Sequence, residues 1–239
     1  MRRRMFKEVT TTWNPIVGCE HECSYCYARK LAETRLKHLP QYKDFKPKLV
    51  EHKLKECPEN GTVFVCDMGD FFSPGVKAEW QYEVFRAIRA KERPYLTLYF
   101  LTKNPLGYLD WLNVGMFEAL ESFVDKVALG VTIETDTGYK QNFQSKAPHP
   151  QARLYVAKYL RKKWNRRFFI SIEPIVDFSS KFVEQIVEIQ PDWVYVGYDN
   201  HNCKLPEPPL QKTQWLIESL EKEGIEVRTK TLRKAWFEE

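Results

Sequence analysis

No stretch of this sequence is apolar for long enough to cross a membrane; runs such as Thr62–Cys66 and Tyr95–Leu101 are strand-sized. The amino end, MRRRMFKEVTTTW, is basic and lacks the apolar core of a secretory leader, so a cytoplasmic location is expected. Internal repeats, low-complexity tracts and obvious linkers are also missing. That excludes a solenoid and suggests a single domain over residues 1–239. Cysteine is scarce, six in all, and three of the six fall at Cys19, Cys23 and Cys26 with no fourth nearby. In a reducing compartment, clustered thiols are more often metal ligands than disulfides.

What is present is enough to build a large core, since 43% of the 239 residues are hydrophobic and 14% aromatic. The net charge is +5, with basic runs at Arg2–Arg4 and Arg161–Arg167. Such runs attract phosphates, but cations also favour helix C-termini. Nucleic acid therefore stands as a candidate partner on modest grounds, and a membrane does not.

Along the chain, strand-like and helix-like segments alternate. Val9–Trp13 is a short β-branched run that leads into the cysteine loop. Ala28, Leu31, Ala32, Leu36 and Leu39 then mark a helix ended by Pro40, and Gln41 to Gly61 reads as an irregular insertion. Thr62–Cys66 is a strand, Trp80 to Ile88 a helix, and Tyr95–Leu101 a strand. A helical stretch runs through Leu109, Leu112 and Met116. Val127–Ile133, Phe168–Ile172 and Trp193–Val196 are further strands, separated by helices over Ala152–Trp164 and Ser180–Ile189. A helix at Lys212–Lys222 follows, and Ile225–Lys230 adds a last short strand. About six strand–helix units with apolar strands argue for a parallel sheet covered by helices. A partial barrel and an open doubly wound sheet both fit this pattern. In either, function belongs at the carboxyl ends of the strands.

Polar residues collect at those ends: Cys66-Asp67-Met68-Gly69-Asp70, Thr102-Lys103-Asn104, and Gly197 to Asn200. Thr132 and Glu134 share one parity, as do Ser171 and Glu173, so each pair faces one side of its strand.

The loop Cys19-Glu20-His21-Glu22-Cys23-Ser24-Tyr25-Cys26 is a C-x3-C-x2-C triplet. Soft thiolates select zinc or iron–sulfur clusters. Structural zinc would need a fourth ligand from His21, His201 or Cys203, whereas a [4Fe–4S] cluster on three thiolates leaves one iron open. His21 itself reads as a solvent-facing spacer.

This loop resembles the signature of the radical S-adenosylmethionine (radical SAM) superfamily. The segments WNPIVGC, CYARK, FVCDMGDFF, FLTKNP, LGVTIET, FISIEPI and WVYVGYDN extend the resemblance to short radical SAM-like proteins of phages and archaea. The resemblance implies an α/β fold, a partial (β/α)6 TIM-type barrel with an N-terminal cluster-binding loop. It implies an enzyme that holds a [4Fe–4S] cluster on Cys19, Cys23 and Cys26. Such an enzyme cleaves SAM reductively and abstracts hydrogen from a substrate with the 5′-deoxyadenosyl radical. An electron donor such as a flavodoxin or ferredoxin would serve it.

Tyr25 would then lie beside the adenine, and Met68-Gly69-Asp70 would receive the SAM amino group, although the usual double glycine is absent. Lys103, Thr132 and Glu134 would hold the carboxylate or ribose, and Ser171 and Glu173 would serve SAM or substrate. Cys66 is a candidate hydrogen-atom donor, by likeness to the superfamily's DNA-repair lyase, and Cys57 and Cys203 have no assigned role. The competing reading is a non-catalytic metal-binding module that contacts nucleic acid.

Overall fold

The computed structural model describes residues 6–140 and 142–239; the basic run Arg2–Arg4 lies outside them. The chain runs through β1 (Thr11–Trp13), β2 (Ile16–Val17), α1 (Tyr27–Glu33), a 3-10 turn at Pro40–Tyr42, β3 (Lys48–Leu49) and α2 (Glu51–Leu54). It continues through β4 (Gly61–Val65), α3 (Ala78–Arg89), β5 (Arg93–Thr102), α4 (Leu106–Asn113), α5 (Met116–Leu120) and β6 (Val124–Thr132). Then come α6 (Pro150–Lys163), β7 (Phe168–Ile172), α7 (Phe182–Ile189), β8 (Trp193–Val196), α8 (Leu210–Lys222) and β9 (Glu226–Thr229).

Seven of the strands form a parallel sheet in the order β1-β4-β5-β6-β7-β8-β9, and β2 pairs with β3 in a separate antiparallel ribbon. The order never reverses, which removes one expectation. A doubly wound sheet has a point where strand order turns back, and this sheet has none. It is singly wound, as barrel-type sheets are.

Two compact units divide the chain. One comprises Met1–His21, Cys26–Thr102 and Leu106–Leu129; the other comprises Glu22–Tyr25, Lys103–Pro105 and Gly130–Glu239. In the first, β1 registers on β4 with Trp13 opposite Val65, and β4 registers on β5 with Phe64 opposite Tyr99. Its core is largely aromatic. Phe71, Phe85, Phe100, Tyr108 and Phe117 are buried and meet mostly edge to face, with Phe72 on Tyr108 at 4.7 Å. Edge-to-face contacts suit the ring quadrupoles better than face-to-face stacks.

Helix α1 ends at Glu33, earlier than its apolar stripe suggests. Thr34 leaves helical geometry, and its hydroxyl donates to Lys30 O at 2.6 Å, a local competitor of the helix ladder. Leu36 continues the stripe in a turn instead, its N–H on Leu31 O at 2.9 Å. The helical stretch after β5 is two helices, split at Gly115, whose φ of +65° suits glycine. The insertion at 41–61 is less irregular than its composition implies, since it carries β3 and α2.

In the second unit, β7, β8 and β9 are parallel and in register. Phe169, Trp193 and Glu226 form one row, Ser171, Tyr195 and Arg228 the next. Phe169 stacks on Trp193 at 5.2 Å, and Arg228 lies 4.4 Å over Trp193. Helix α7 buries Phe182, Ile186 and Ile189 and packs against both α6 and α8. The buried stripe of α6 is Arg153, Leu154, Ala157 and Leu160. An arginine in that stripe was not expected of a basic amphipathic helix.

Candidate active site

The cysteine loop starts where β2 ends. Gly18 N–H donates to Met68 O at 2.9 Å, and Gly18 pairs with Gly69 in a short parallel bridge. Both positions need glycine. A Cβ on Gly69 would meet Gly18 O at 2.6 Å, and one on Gly18 would meet Lys46 O at 2.1 Å, at a φ of +83°. The close approach permitted by Gly69 is therefore to the chain's own backbone. Met68 O is engaged by Gly18, while Met68 N–H goes to Asn14 Oδ1 at 3.0 Å. Asn14 also donates to Asp67 Oδ1 at 2.6 Å.

Cys19 and Cys26 belong to the first unit and pack against the same buried group, Val17, Ala28, Ala32, Phe45, Val50 and Met68. Each sulfur receives a backbone N–H: His21 to Cys19 Sγ and Arg29 to Cys26 Sγ, both at 3.4 Å. Arg29 further donates to Cys19 O at 3.2 Å, with its guanidinium 5.2 Å over Phe45. N–H donors directed at sulfur favour the thiolate, the form a metal needs.

His21 is not a solvent-facing spacer. It is buried, and its Nε2 lies 3.0 Å from Asp70 Oδ2. Asp70 is also buried, and its Oδ1 accepts from Thr102 Oγ1 at 2.7 Å and from Phe72 N–H at 2.9 Å. The Asp70 carboxylate thus ties the cysteine loop to the ends of β4 and β5. Cys66 is buried with a φ of +63°, and burial, then Asp67 and Asp70, push its thiol far above the usual range. Burial lifts Cys57 to about 11. Among the described residues no cysteine forms a disulfide.

In the second unit, Cys23 Sγ lies 3.1 Å from Ser145 Oγ, and Ser24 N–H donates to Gln144 O at 2.9 Å. Tyr25 is buried and stacks on Phe143 at 5.5 Å. Its hydroxyl donates to Glu134 Oε1. Lys103 donates to the same oxygen at 2.7 Å, with its ammonium 5.2 Å over the Tyr25 ring. Arg153 Nη1 stands 2.7 Å from Glu134 Oε2 and donates to Thr132 O at 2.6 Å.

Glu134 and Arg153 are wholly buried. Burial alone would raise the Glu134 pKa; Arg153 and Lys103 reverse that and hold it at about 2. Burial and the Glu134 charge lift Tyr25 well above the ordinary phenol range. Three of the expected site residues, Tyr25, Lys103 and Glu134, therefore meet in one network.

Glu173 pairs with Lys230. Burial raises the Glu173 pKa, and Lys230 only partly offsets this. Thr132 and Ser171 are buried on adjacent strands, and Ile133 N–H donates to Ser171 O at 2.9 Å. Cys203 N–H donates to Asp199 Oδ2 at 2.6 Å.

Arg153, His21 and Lys230 were not legible as site residues; only the interruption of an apolar stripe by Arg153 offered a signal. The basic segment Arg161–Arg167 precedes β7, at the amino end of that strand and so opposite the ends that carry Glu134 and Glu173. Arg161 is spent on Gln190 O and Asp192 Oδ1, at 2.9 and 3.0 Å.

Among the described residues no three His, Cys, Asp or Glu side chains converge as a ready metal-ligand group. A cluster assignment for Cys19, Cys23 and Cys26 rests on their spacing and donor chemistry. No helix among the described residues is long and apolar enough to cross a membrane.

The chain is similar in fold to a radical SAM methyltransferase from Sphaerobacter thermophilus, with a TM-score of 0.54 and 15% identity over 97% of this chain and 69% of that one. It is also similar to a spore photoproduct lyase variant, with a TM-score of 0.52 and 12% identity over 93% of this chain and 65% of that one. At such identities the likeness is one of fold. The chain spans about three fifths of the length of the spore photoproduct lyases it matches, 59%, 60% and 65% of three of them. No curated protein matches the sequence. Residues 6–216 match the family described as "Protein of unknown function (DUF5131)", and the chain belongs to that family.

Proposed function

We propose that the chain is a radical SAM enzyme built on a partial (β/α)6 barrel, with Cys19, Cys23 and Cys26 as the ligands of a [4Fe–4S] cluster. The observation that carries this reading is the cysteine loop itself. It follows the first strand of a singly wound α/β sheet, is fixed by the Gly18–Gly69 bridge, and directs an N–H at the sulfurs of Cys19 and Cys26. The donor set fits the group: three thiols in no disulfide, at C-x3-C-x2-C spacing, leave one iron of a cubane open. The fold likeness to a radical SAM methyltransferase agrees with it. When bound, the cluster and SAM supply the electron and the 5′-deoxyadenosyl radical for hydrogen abstraction.

The chain's own residues hold and shield. Asp70 fixes the loop through His21, a positioning role rather than a contact with the SAM amino group. Glu134, hydrogen-bonded to Tyr25 and Lys103 and ion-paired with Arg153, acts by holding the Tyr25 ring and the Lys103 ammonium in place; these two are the SAM-facing groups. Thr132, Ser171 and Glu173 line the strand ends on the substrate side. Burial keeps Cys66 a neutral thiol, the form from which a hydrogen atom can be given. A flavodoxin or ferredoxin supplies the electron. Nucleic acid remains the favoured substrate class, with the exposed cations near the amino end of β7 available to a polyanion's backbone rather than to its reacting part.

Anaerobic reconstitution followed by SAM and a strong reductant tests the reading. Broad visible absorbance and 5′-deoxyadenosine are expected, and alanine at Cys19, Cys23 or Cys26 abolishes both. Colourless zinc with no SAM cleavage would sink the proposal and leave a metal-binding module.

A further inference from the structure

From Thr137 to Ile172 the chain carries nine lysines and arginines and no aspartate or glutamate. Helix α6 is the middle of this stretch, and its dipole does not explain the pattern. A helix N-terminus favours acidic side chains, yet the first turn of α6 has none. Arg161, Lys162 and Lys163 crowd its last turn.

The buried stripe Arg153, Leu154, Ala157 and Leu160 leaves Tyr155, Tyr159 and Lys162 on the opposite face, at three- and four-residue spacing. Tyr155 is 78% exposed and Tyr159 48%. Single exposed aromatics are ordinary, but two rings one turn apart make a continuous surface. Lys163 Nζ lies 5.6 Å over the Tyr159 ring, so a cation is held beside a stacking face. On the flank towards α7, Lys158 pairs with Glu188 and Arg161 with Asp192, so those acids do not cancel the outer cations. Beyond the helix, Arg166 and Arg167 are exposed.

We propose that the outer face of α6 binds single-stranded nucleic acid, with bases stacked on Tyr155 and Tyr159 and phosphates on Lys162, Lys163 and Arg166. Cations set along a path with aromatic rings grip a single strand without reading its sequence. A duplex offers these cations its phosphates but keeps its base faces closed to the tyrosines. An acidic protein supplies the charge without a series of flat rings. This surface gives the substrate class proposed above a place to be held, and only its part in turnover rests on that reading.

Fluorescence anisotropy of short labelled oligothymidylate and oligouridylate, titrated with the full-length reconstituted protein, tests it. Both are expected to bind; the tighter identifies DNA or RNA as the strand, and equal affinities mean that the sugar is not read. Tyr155→Ala and Tyr159→Ala each weaken binding about tenfold, whereas Tyr155→Phe and Tyr159→Phe keep it. Lys162→Gln instead flattens the fall of log affinity with log salt by about 0.7. A duplex of the same length binds about tenfold more weakly and is indifferent to the tyrosines. These side chains are exposed, so the variants keep the parent's melting temperature. The surface is refuted if neither strand binds, or if the alanine variants bind as the parent does. It is also refuted if polyglutamate displaces the strand as readily as unlabelled strand does, which would mark a site for an acidic protein. Strand binding by a parent that fails to cleave SAM overturns the enzyme reading alone; SAM cleavage without strand binding overturns only the α6 surface.

Discussion

Glu134 and Glu173 end neighbouring strands in near-identical contexts, Thr-Ile-Glu-Thr and Ser-Ile-Glu-Pro, yet they titrate in opposite directions. Burial raises both. Glu134 has two cations against it, Arg153 and Lys103, and falls to about 2. Glu173 has Lys230 in contact and stays above the usual carboxylate range. What separates the two carboxylates is the number of cations in contact and the access of water, the Glu134 side chain being 0% exposed and that of Glu173 17%.

The largest test of that contrast is Arg153→Met. It leaves Glu134 sealed with one cation, and urea unfolding should show a loss of about 3–5 kcal/mol. Lys230→Met should lose far less, because Glu173 reaches water and can take a proton. Equal losses would end the distinction.

The second test is acid titration. Glu134 has a depressed pKa, so its contribution is full above the unfolded value near 4.5 and is lost as pH falls towards about 2. That window corresponds to roughly 3 kcal/mol. Glu134→Gln should flatten the fall in melting temperature over the same range; an unchanged acid limb would mean that Glu134 is not held as described.

Glu173 should show the reverse slope. A raised carboxylate favours the folded state below its pKa and loses that advantage as pH rises through it. Lys230→Met raises it further, so this variant should lose stability relative to its parent, by about 1 kcal/mol, as pH rises beyond the ordinary carboxylate range. Parallel stability–pH curves would break the comparison. The smallest effect belongs to the far end of β7, where Lys162 is exposed. Lys162→Glu should change stability by less than about 0.5 kcal/mol and leave SAM cleavage intact. Loss of cleavage would tie the basic segment to the active site after all.

Much of this architecture was legible because strands buried on both faces leave continuous apolar runs. Phe168–Ile172 and Trp193–Val196 are placed to the residue. Helix ends were read less well. The apolar stripe through Leu36 outlives α1, because Thr34 turns the chain while the side chains still face inward. Gly115 carried the sign of a helix break, yet the stretch read as continuous.

In the site, strand-end parity marked Thr132, Glu134, Ser171 and Glu173, since alternation is a property of sequence. The partners were not marked. Arg153 sits 19 residues after Glu134 on a helix, and Lys230 sits 57 residues after Glu173. Only the fold brings such pairs together. His21 was misread because a histidine among glutamates looks solvated, and its burial depends on Asp70, 49 residues away.

The Gly18–Gly69 seam has a consequence for how this protein can vary. Two backbones meet there without side chains, and Lys46 O closes over Gly18 from the other side. The position of Cys19 is therefore set by main-chain atoms that no substitution nearby can retune. A mutational library across residues 14–26 and 66–70 should tolerate many changes at exposed Ser24, while positions 18 and 69 should reject even alanine. The place where the loop can drift least is one residue before its first sulfur.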